Sequence, residues 1–246
     1  MSQDLGAWLN DPGAVRDQYA SEARLNDRAS LYDDIGGPEP GDVAFAAVAE
    51  LQPRRFLEVG CGTGWFAARV QRELGAEVHA VDQSERMVTV ARSGGVDARV
   101  GDVQELFFGE DEFDCAAANW MLYHVPVLDR ALAELARVLR PSGRLVAVTN
   151  GRDHLLEVWR LVGAETGRVA RRVTFSAENG AVALRRHFAA VDVRDAGGTV
   201  TIHTPDAIAR YLHSIDTWAP FAERLPERFD APLVARRSTT VFVATA

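Results

Sequence analysis

The sequence predicts an α/β fold with a doubly wound, mostly parallel sheet and helices on both faces. Short apolar runs alternate with amphipathic segments between residues 54 and 150, which is the pattern of strands joined by crossover helices. A glycine-rich turn connects the first of these runs to the segment that follows it. At 246 residues, 47% of them hydrophobic, the chain can bury roughly 70–75% of its unfolded-state surface without disulfide or metal staples.

The charge composition narrows the classes of partner. The formal net charge is −8 and all 27 basic residues are arginines, which excludes a nucleophilic or Schiff-base lysine. An acidic balance disfavours long nucleic-acid tracts and anionic membranes, because phosphate binding needs a basic face. No apolar run is long enough for a membrane span, and the polar N-terminus lacks a signal-peptide pattern. We therefore expect a cytoplasmic protein in which Cys61 and Cys115 are reduced thiols.

Residues 1–50 are predicted to be mainly helical, with a Gly-Pro breaker cluster at 36–41 and a further helix at 42–51. Residues 51–150 then alternate strands with helices. The predicted strands are 55–59, 77–81, 98–100, 113–118 and 144–149. The predicted helices between them are 65–74, 84–93 and 127–139. The last of these carries an apolar stripe and ends at Pro141-Ser142-Gly143.

Residues 151–246 are expected to continue the same domain, since no linker precedes them. Helices are predicted at 154–169, 176–188 and 205–214. The third should begin well, because Thr204 can cap it, Pro205 occupies its first turn and Asp206 faces its dipole. Strands at 191–193 and 199–203 are expected to form a hairpin around Gly197-Gly198, and 239–246 is predicted to be the final strand.

The most specific motif is an apolar strand that runs into a G-x-G-x-G turn and then a helix. Its glycines, Gly60, Gly62 and Gly64, let the backbone turn tightly and let a ligand lie against bare main chain at the carboxyl ends of the strands. The spacing is shorter than the G-x-G-x-x-G of dinucleotide-binding proteins. Glycines after strands also form plain turns, so the triplet by itself leaves both interpretations open.

Three acidic residues favour a ligand site. Glu58, before the first glycine, would repel a pyrophosphate but suits an ammonium group. Asp82, at the end of the second strand, can accept hydrogen bonds from both ribose hydroxyls. Asp102, after the third strand, can accept one from an adenine amine. Together with the glycine turn, these acids describe a ligand with an amine, a ribose and an adenine but no phosphates.

With these motifs the sequence resembles the class I S-adenosylmethionine-dependent methyltransferases, of the bacterial small-molecule type. The resemblance covers roughly residues 50–150 and is carried by Leu57-Glu58-Val59-Gly60-Cys61-Gly62-Thr63-Gly64, Val81-Asp82-Gln83-Ser84, Gly101-Asp102-Val103 and the stretch from Leu135 to Leu145. Within that stretch, Ser142 replaces a glycine that the family usually has. The resemblance implies a seven-stranded sheet with a reversed C-terminal hairpin, and S-adenosylmethionine as the cofactor.

The resemblance also implies residue roles. The residues expected to bind the cofactor are Tyr19, Arg28, Glu58, Gly60, Gly62, Gly64, Asp82, Gln83, Met87, Asp102, Val103 and Asn119. The glycines would pass the methionine moiety, Asp82 would hold the ribose, and Met87, Asp102 and Val103 would surround the adenine. Residues 1–50 would act as a lid or acceptor segment, residues 51–150 would bind the cofactor, and residues 151–246 would add an acceptor-pocket insertion.

The loop after the fourth strand borders both cofactor and acceptor in this family. Its His124 is the candidate general base and Tyr123 lies beside it. A histidine bonded to backbone at a helix entry, and an aromatic residue that only packs in the core, are the alternatives. Residues of the C-terminal part that could line an acceptor pocket, or equally belong to core or surface, are His203, Tyr211, His213, Trp218 and Phe221.

We expect transfer of a methyl group to an oxygen, nitrogen or carbon atom of a small-molecule acceptor, for example a natural product. The reaction would be a direct in-line displacement, which chiefly requires that the nucleophile is aligned with the methyl group. The alternatives are an RNA or protein methyltransferase using the arginine pairs at 171–172 and 185–186, a non-catalytic module that binds S-adenosylmethionine or S-adenosylhomocysteine, and a nucleotide-dependent oxidoreductase. No metal is expected, because the six histidines lack ligand spacing. The chain is expected to be a monomer or homodimer, without membrane partners.

Overall fold

The computed structural model describes residue 9 and residues 11–19, 22–164 and 173–246. Its strands are β1 (Ile35–Gly36), β2 (Arg55–Val59), β3 (Glu77–Asp82), β4 (Asp97–Val100), β5 (Phe113–Asn119), β6 (Leu139–Asn150), β7 (Ala190–Asp195), β8 (Gly198–Ile202), β9 (Leu233–Arg237) and β10 (Thr239–Thr245). Its helices are α1 (Pro12–Gln18), α2 (Glu22–Ala29), α3 (Pro40–Ala49), α4 (Trp65–Leu74), α5 (Glu85–Ser93), α6 (Leu128–Val138), α7 (Leu156–Leu161), α8 (Gly180–Leu184) and α9 (Pro205–His213).

Seven strands form one sheet in the order β4-β3-β2-β5-β6-β10-β7. Neighbours from β4 to β6 pair in parallel, whereas β10 is antiparallel to both β6 and β7. The predicted doubly wound sheet with a reversed C-terminal strand pair is therefore confirmed. The parallel order brings the ends of β2, β3, β4 and β5 to the same edge, where such sheets bind ligands.

The alternation of apolar residues along the strands explains why both faces of the sheet are covered. On β2, Phe56 belongs to the apolar cluster that includes α3, α4 and α5, while Leu57 belongs to the cluster that includes α6 and α8. Phe56 and Leu57 are both fully buried. Successive strand residues point to opposite faces, so a nearly continuous apolar run is what a strand with helices on both sides requires.

The second sheet is antiparallel, has the order β1-β8-β9 and joins distant parts of the chain. Ile35 of the N-terminal segment pairs with Val200 of β8. A third apolar cluster surrounds this sheet and includes Val15, Leu31 and Trp159. We call the unit formed by α1, α2, the small sheet, α7 and α9 the cap.

Several elements differ from those predicted. The strands at 191–193 and 199–203 do not form a hairpin, because β7 pairs with β10 while β8 pairs with β1 and β9 in the other sheet. Thr204 precedes α9, but its side chain makes no capping hydrogen bond. The helix predicted at 176–188 is shortened to α8, and the described part of the helix predicted at 154–169 contains α7, which ends at Leu161. Residues 165–172, including the arginine pair at 171–172, lie outside the described part of the chain.

Candidate active site

A cavity of about 800 Å³ is lined by the turns that follow the parallel strands and by residues of the cap. Its strand-end wall includes Gly60, Gly62, Asp82, Asp102 and Asn119. Its opposite wall consists of cap and C-terminal residues, among them Tyr19, Arg28, Tyr32, His154, Tyr211, Trp218 and Arg237. Sequence segments far apart in the chain therefore meet around one space.

The glycine turn after β2 needs its glycines for two different reasons. Gly60 and Gly62 have φ of 64° and 53°, a left-handed conformation that side chains disfavour. A Cβ on Gly62 would meet nothing within 4 Å, so this glycine borders open space in the cavity. A Cβ on Gly64 would lie 2.8 Å from Cβ of Ala91, so Gly64 permits α4 and α5 to approach each other, and it does not line the cavity.

The carboxylate of Asp82 organises two loops at the strand ends. Its Oδ2 accepts from the backbone N–H of Gly62 at 2.8 Å, and its Oδ1 accepts from that of Ser84 at 2.9 Å. Burial raises the pKa of Asp82, and the backbone hydrogen bonds oppose that rise. The backbone N–H of Gln83 also acts on this carboxylate, so of the about four acceptor sites of an ionised carboxylate at least one remains for a ligand's hydroxyl group. Gln83 lies next to Asp82 on the cavity wall.

Glu58 and Asn119 form a buried pair beside the glycine turn. Oε2 of Glu58 accepts from the N–H of Ala67 in the first turn of α4 at 2.9 Å, and Oε1 accepts from Nδ2 of Asn119 at 3.3 Å. Burial raises the pKa of Glu58 to about 8. Oδ1 of Asn119 is buried and has no hydrogen-bond partner among the described residues. An unpartnered buried acceptor is costly, so this corner needs a donor from a ligand.

Of the residues expected around the adenine, the structure brings two to the cavity. Asp102 and Val103, which follow β4, both line it. Oδ1 of Asp102 also accepts from the N–H of Gln104 at 2.8 Å. Met87 does not line the cavity: it is fully buried on the inner face of α5, where the hydroxyl of Ser84 caps the helix. The structure therefore places Met87 in the protein core and not on the cavity wall.

Tyr19 and Arg28, from the N-terminal segment, reach the cavity together. The Arg28 guanidinium lies 4.9 Å from the centre of the Tyr19 ring. The Nε and Nη2 atoms of Arg28 are buried and have no hydrogen-bond partner among the described residues. The backbone carbonyl of Tyr19 accepts from the hydroxyl of Ser84 at 3.2 Å, which ties the cap to the loop after β3.

His124 occupies the loop after β5 and is held from both sides. Its Nδ1 lies 3.0 Å from the carbonyl oxygen of Leu9, to which it donates, and its Nε2 lies 3.1 Å from the Tyr19 hydroxyl. Burial lowers the pKa of His124 to about 4, so the ring is neutral at pH 7. The Tyr123 ring packs against it with centroids 4.5 Å apart, and burial raises the Tyr123 pKa. A neutral histidine with a fixed tautomer presents the lone pair of one ring nitrogen as a hydrogen-bond acceptor.

A second tyrosine–histidine pair, absent from the sequence-based expectations, lines the same cavity. The Tyr32 hydroxyl lies 2.8 Å from Nε2 of His154, whose Nδ1 lies 3.1 Å from the carbonyl oxygen of Ser238. His154 follows the end of β6 at the ligand-binding edge of the sheet, and that position is the signal that could have identified it. His203 instead pairs with Asp34 at 2.9 Å on the surface, and neither it nor the exposed His213 reaches the cavity.

The rest of the cap wall of the cavity is aromatic and apolar. Tyr211 and Trp218 line the cavity, and Trp159, which packs edge-on against Trp218, lines it as well. Phe221 lies behind Trp159 in the cap cluster and does not line the cavity. Within the described ranges no cluster of histidine, cysteine and acidic residues could hold a metal ion. Within those ranges, too, no helix combines the length and apolarity that a membrane crossing requires.

Residues 57–147 match the family described as "Methyltransferase domain". The malonyl-[acyl-carrier protein] O-methyltransferase of Erwinia pyrifoliae is 34% identical over 162 residues, which cover 63% of this chain and 58% of that protein. The ubiquinone biosynthesis O-methyltransferase of Xanthomonas oryzae pv. oryzae is 36% identical over 127 residues, covering 49% and 53%. The match to a methyltransferase domain is confined to residues 57–147, which contain the glycine turn, Asp82, Asp102 and Asn119. The chain spans about half the length of the curated relatives it matches.

Solved structures share the fold of this chain. The "[4+2]-Cyclase SpnF" aligns with a TM-score of 0.62 and 20% identity over 92% of each chain. A possible histamine N-methyltransferase from Thermotoga maritima aligns with a TM-score of 0.53 and 24% identity, over 83% of this chain and 88% of the other. At these identities the likeness concerns the fold alone, and the cyclase shows that the fold by itself does not specify the reaction.

The residues around the glycine turn fit S-adenosylmethionine, the cofactor that the sequence motifs imply. The space beside Gly62 is open where a Cβ would otherwise stand. The orphaned Oδ1 of Asn119 needs a hydrogen-bond donor, which an ammonium group supplies. The buried Nε and Nη2 of Arg28 need an acceptor, which a carboxylate supplies. The ammonium group of an amino acid moiety thus matches the unpartnered oxygen of Asn119, and its carboxylate matches the unpartnered nitrogens of Arg28.

Proposed function

We propose that this chain is a methyltransferase that moves the methyl group of S-adenosylmethionine to an oxygen atom of a small-molecule acceptor. One observation carries the proposal: the glycine turn and the acids at the strand ends line the same cavity as an aromatic wall under the cap, which includes Trp159, Tyr211 and Trp218 and which we call the acceptor chamber. The malonyl and ubiquinone relatives are named O-methyltransferases, which supports oxygen as the acceptor atom. The bound cofactor would supply an activated methyl group on a sulfonium sulfur.

In this proposal the strand-end wall holds the cofactor. Asp82 accepts from the ribose hydroxyls with its remaining lone pairs, and Asp102 with Val103 contacts the adenine edge. Glu58 and Asn119 receive the ammonium group, while Arg28 pairs with the carboxylate. Gly60, Gly62 and Gln83 form the surface along which the ligand lies.

The Tyr19–His124 pair provides the base. His124 is neutral and its Nδ1–H is engaged with Leu9, so Nε2 is the atom that can take a proton. As the acceptor oxygen forms its bond to the methyl carbon, its proton passes to Nε2 of His124, directly or through the Tyr19 hydroxyl. The electron pair of the broken carbon–sulfur bond stays on sulfur. The aromatic wall, including Trp218, aligns the acceptor and excludes water.

We further propose that residues 1–50 and 151–246 close one domain around the core of residues 51–150, since β1 pairs with β8 and Tyr19 touches the loop after β3. A small-molecule acceptor agrees with the aromatic lining of the acceptor chamber. An RNA acceptor would need a basic face, and the positive potential of one of the candidate arginines, Arg186, is offset by Asp129 at 3.4 Å.

Two measurements test the proposal. Calorimetric titration should show saturable binding of S-adenosylmethionine and S-adenosylhomocysteine but not of NAD; binding of NAD alone would overturn it. Tritiated methyl donor should then label members of a panel of phenols, enols and carboxylic acids. Label that enters only RNA or protein would contradict the small-molecule acceptor, and tight cofactor binding without labelling of any class would indicate a binding module.

A further inference from the structure

The inner wall of the acceptor chamber contains a buried cation that the proposed methyl transfer does not use. Arg237 ends β9 and is 3% exposed. Its Nη2 donates to the carbonyl oxygens of Gly36 at 3.3 Å and Pro38 at 2.5 Å. Its Nε and Nη1 are buried and have no hydrogen-bond partner among the described residues. No described carboxylate lies within ion-pair distance of it.

A buried guanidinium in this condition is unusual. Leaving a buried donor unpaired costs roughly 1–3 kcal/mol, and more when the group is charged. Buried arginines are generally paired for this reason. Two backbone carbonyls satisfy only part of Arg237, and they carry no full negative charge. The Arg237 side chain therefore has no anionic hydrogen-bond partner among the described residues, and it lines the cavity in which a ligand is expected.

The neighbours of Arg237 indicate how much negative charge the chamber can take. Tyr32 and His154 are buried and neutral, since burial raises the Tyr32 pKa and lowers the His154 pKa to about 4. Burial lowers the Arg237 pKa, and the carboxylate of Glu39, which caps α3, opposes this shift without forming an ion pair with Arg237. Trp159 and Trp218 contribute apolar aromatic surface. One guanidinium in such surroundings balances one negative charge, which suits a carboxylate better than a phosphate dianion.

We propose that Arg237 binds the carboxylate of the methyl acceptor, and that the acceptor is a monocarboxylic acid with an apolar or aromatic body and a separate hydroxyl group, whose oxygen takes the methyl group. The inference rests on the proposed function and names its substrate class. Arg28 and Arg237 then serve different anions, the first that of the cofactor and the second that of the acceptor. The carboxylate takes hydrogen bonds from Nε or Nη1 of Arg237, and the apolar body lies against the tryptophans.

The test uses matched acids and amides on the full chain saturated with S-adenosylhomocysteine. Benzoate, cinnamate and octanoate are titrated calorimetrically beside benzamide, cinnamamide and octanamide, which have the same shape without the charge. In the unmodified protein at least one acid should bind about tenfold or more tightly than its amide. Amides that bind as tightly as the acids, or a panel in which no acid binds, would overturn the proposal.

Arg237→Gln should abolish the preference for acids while S-adenosylhomocysteine binding stays unchanged. Arg236→Gln is the matched control, because Arg236 is the neighbouring arginine on the same strand but is exposed and pairs with Asp153 at 2.8 Å. It should keep the preference. A preference that persists in Arg237→Gln, or a loss of S-adenosylhomocysteine binding there, would overturn the proposal.

Arg237 also donates a hydrogen bond to Gly36 of β1, so its replacement by Gln affects the small sheet as well as the proposed ligand contact. A second, more conservative variant separates these two effects. Arg237→Lys keeps the positive charge but loses the free guanidinium N–H groups, and acid binding should weaken severalfold; unchanged acid binding would count against the proposal. Failure of the proposed function is distinguishable, because it appears earlier, as absent S-adenosylhomocysteine binding in the unmodified protein.

Discussion

The Tyr19 hydroxyl lies 3.1 Å from Nε2 of His124 and connects the end of α1 to the loop after β5. His124 donates from Nδ1 to the carbonyl oxygen of Leu9 at 3.0 Å, so the N-terminal segment also determines which ring nitrogen carries the proton. The candidate base is thus assembled from two parts of the chain. Its chemistry depends on the cap as much as on the sheet.

Replacing His124 by Gln should lower kcat by about 10²–10³-fold, because the acceptor proton loses its destination. Cofactor affinity, measured by calorimetry, should stay within about twofold, because His124 holds no proposed cofactor contact. His213→Gln removes an exposed histidine of α9 and should leave kcat unchanged. A His124→Gln enzyme with full kcat would show that the acceptor loses its proton before it binds.

The pH dependence of stability follows from the same burial. The pKa of His124 is about 4 in the folded protein, below its usual value near 6.5. The lowered pKa of His124 contributes to the free energy of unfolding in full above pH 6.5. This contribution is lost as pH falls to 4, because the unfolded chain binds a proton at this histidine that the folded chain does not bind. Urea titrations should show stability falling over this window, and less steeply in His124→Gln. An unchanged slope would show that His124 is not neutral when folded.

Cofactor affinity should depend on pH through Glu58. Its pKa of about 8 leaves the carboxyl mostly protonated at pH 7, whereas the cofactor's ammonium group favours the ionised form. Binding should therefore release a proton at pH 7, and affinity should rise from pH 6.5 to 8.5. Calorimetry in buffers of different ionisation enthalpy measures the release. Glu58→Gln should abolish it, and equal release by this variant would assign the proton to another group.

Asp82→Ala should weaken cofactor binding at least tenfold, about 1.4 kcal/mol or more, since the ribose acceptors and the anchors of Gly62 and Ser84 are lost together. Asp230→Ala, a change in an exposed loop residue, is the control and should leave the dissociation constant unchanged. An unaltered dissociation constant in Asp82→Ala would place the ribose elsewhere.

Ser142→Gly should stabilise the protein by about 1 kcal/mol. Ser142 has φ of 67°, a left-handed conformation that costs a side-chain-bearing residue roughly 1–2 kcal/mol and glycine almost nothing. Glycine also gains unfolded-state entropy, which offsets part of the benefit. Ser142→Ala keeps the Cβ and should give little change, so equal thermal midpoints for Ser142→Ala and Ser142→Gly would contradict this reasoning.

The site was predictable from sequence where local backbone chemistry decides it. Gly60 and Gly62 adopt left-handed conformations, and Asp82 bonds to the loop beside it, all within one strand–turn–helix unit and its neighbour. Whether Met87 lines the cavity or is buried in the core could not be predicted from local backbone chemistry. One turn of α5 contains both buried and exposed positions, and only the packing of that helix on the sheet decides which of them reach a ligand.

By itself the sequence determined the parallel sheet and its glycine turn, because apolar periodicity and glycine dihedrals act over short stretches of chain. The tertiary structure alone decided which cap residues line the cavity beside the strand ends. More than a hundred residues separate Tyr32 from His154 along the chain, and Arg237 comes from a third segment. These residues meet only because β1 pairs with β8 and β8 pairs with β9. Such pairings depend on long-range burial and register, which leave no local pattern in the chain.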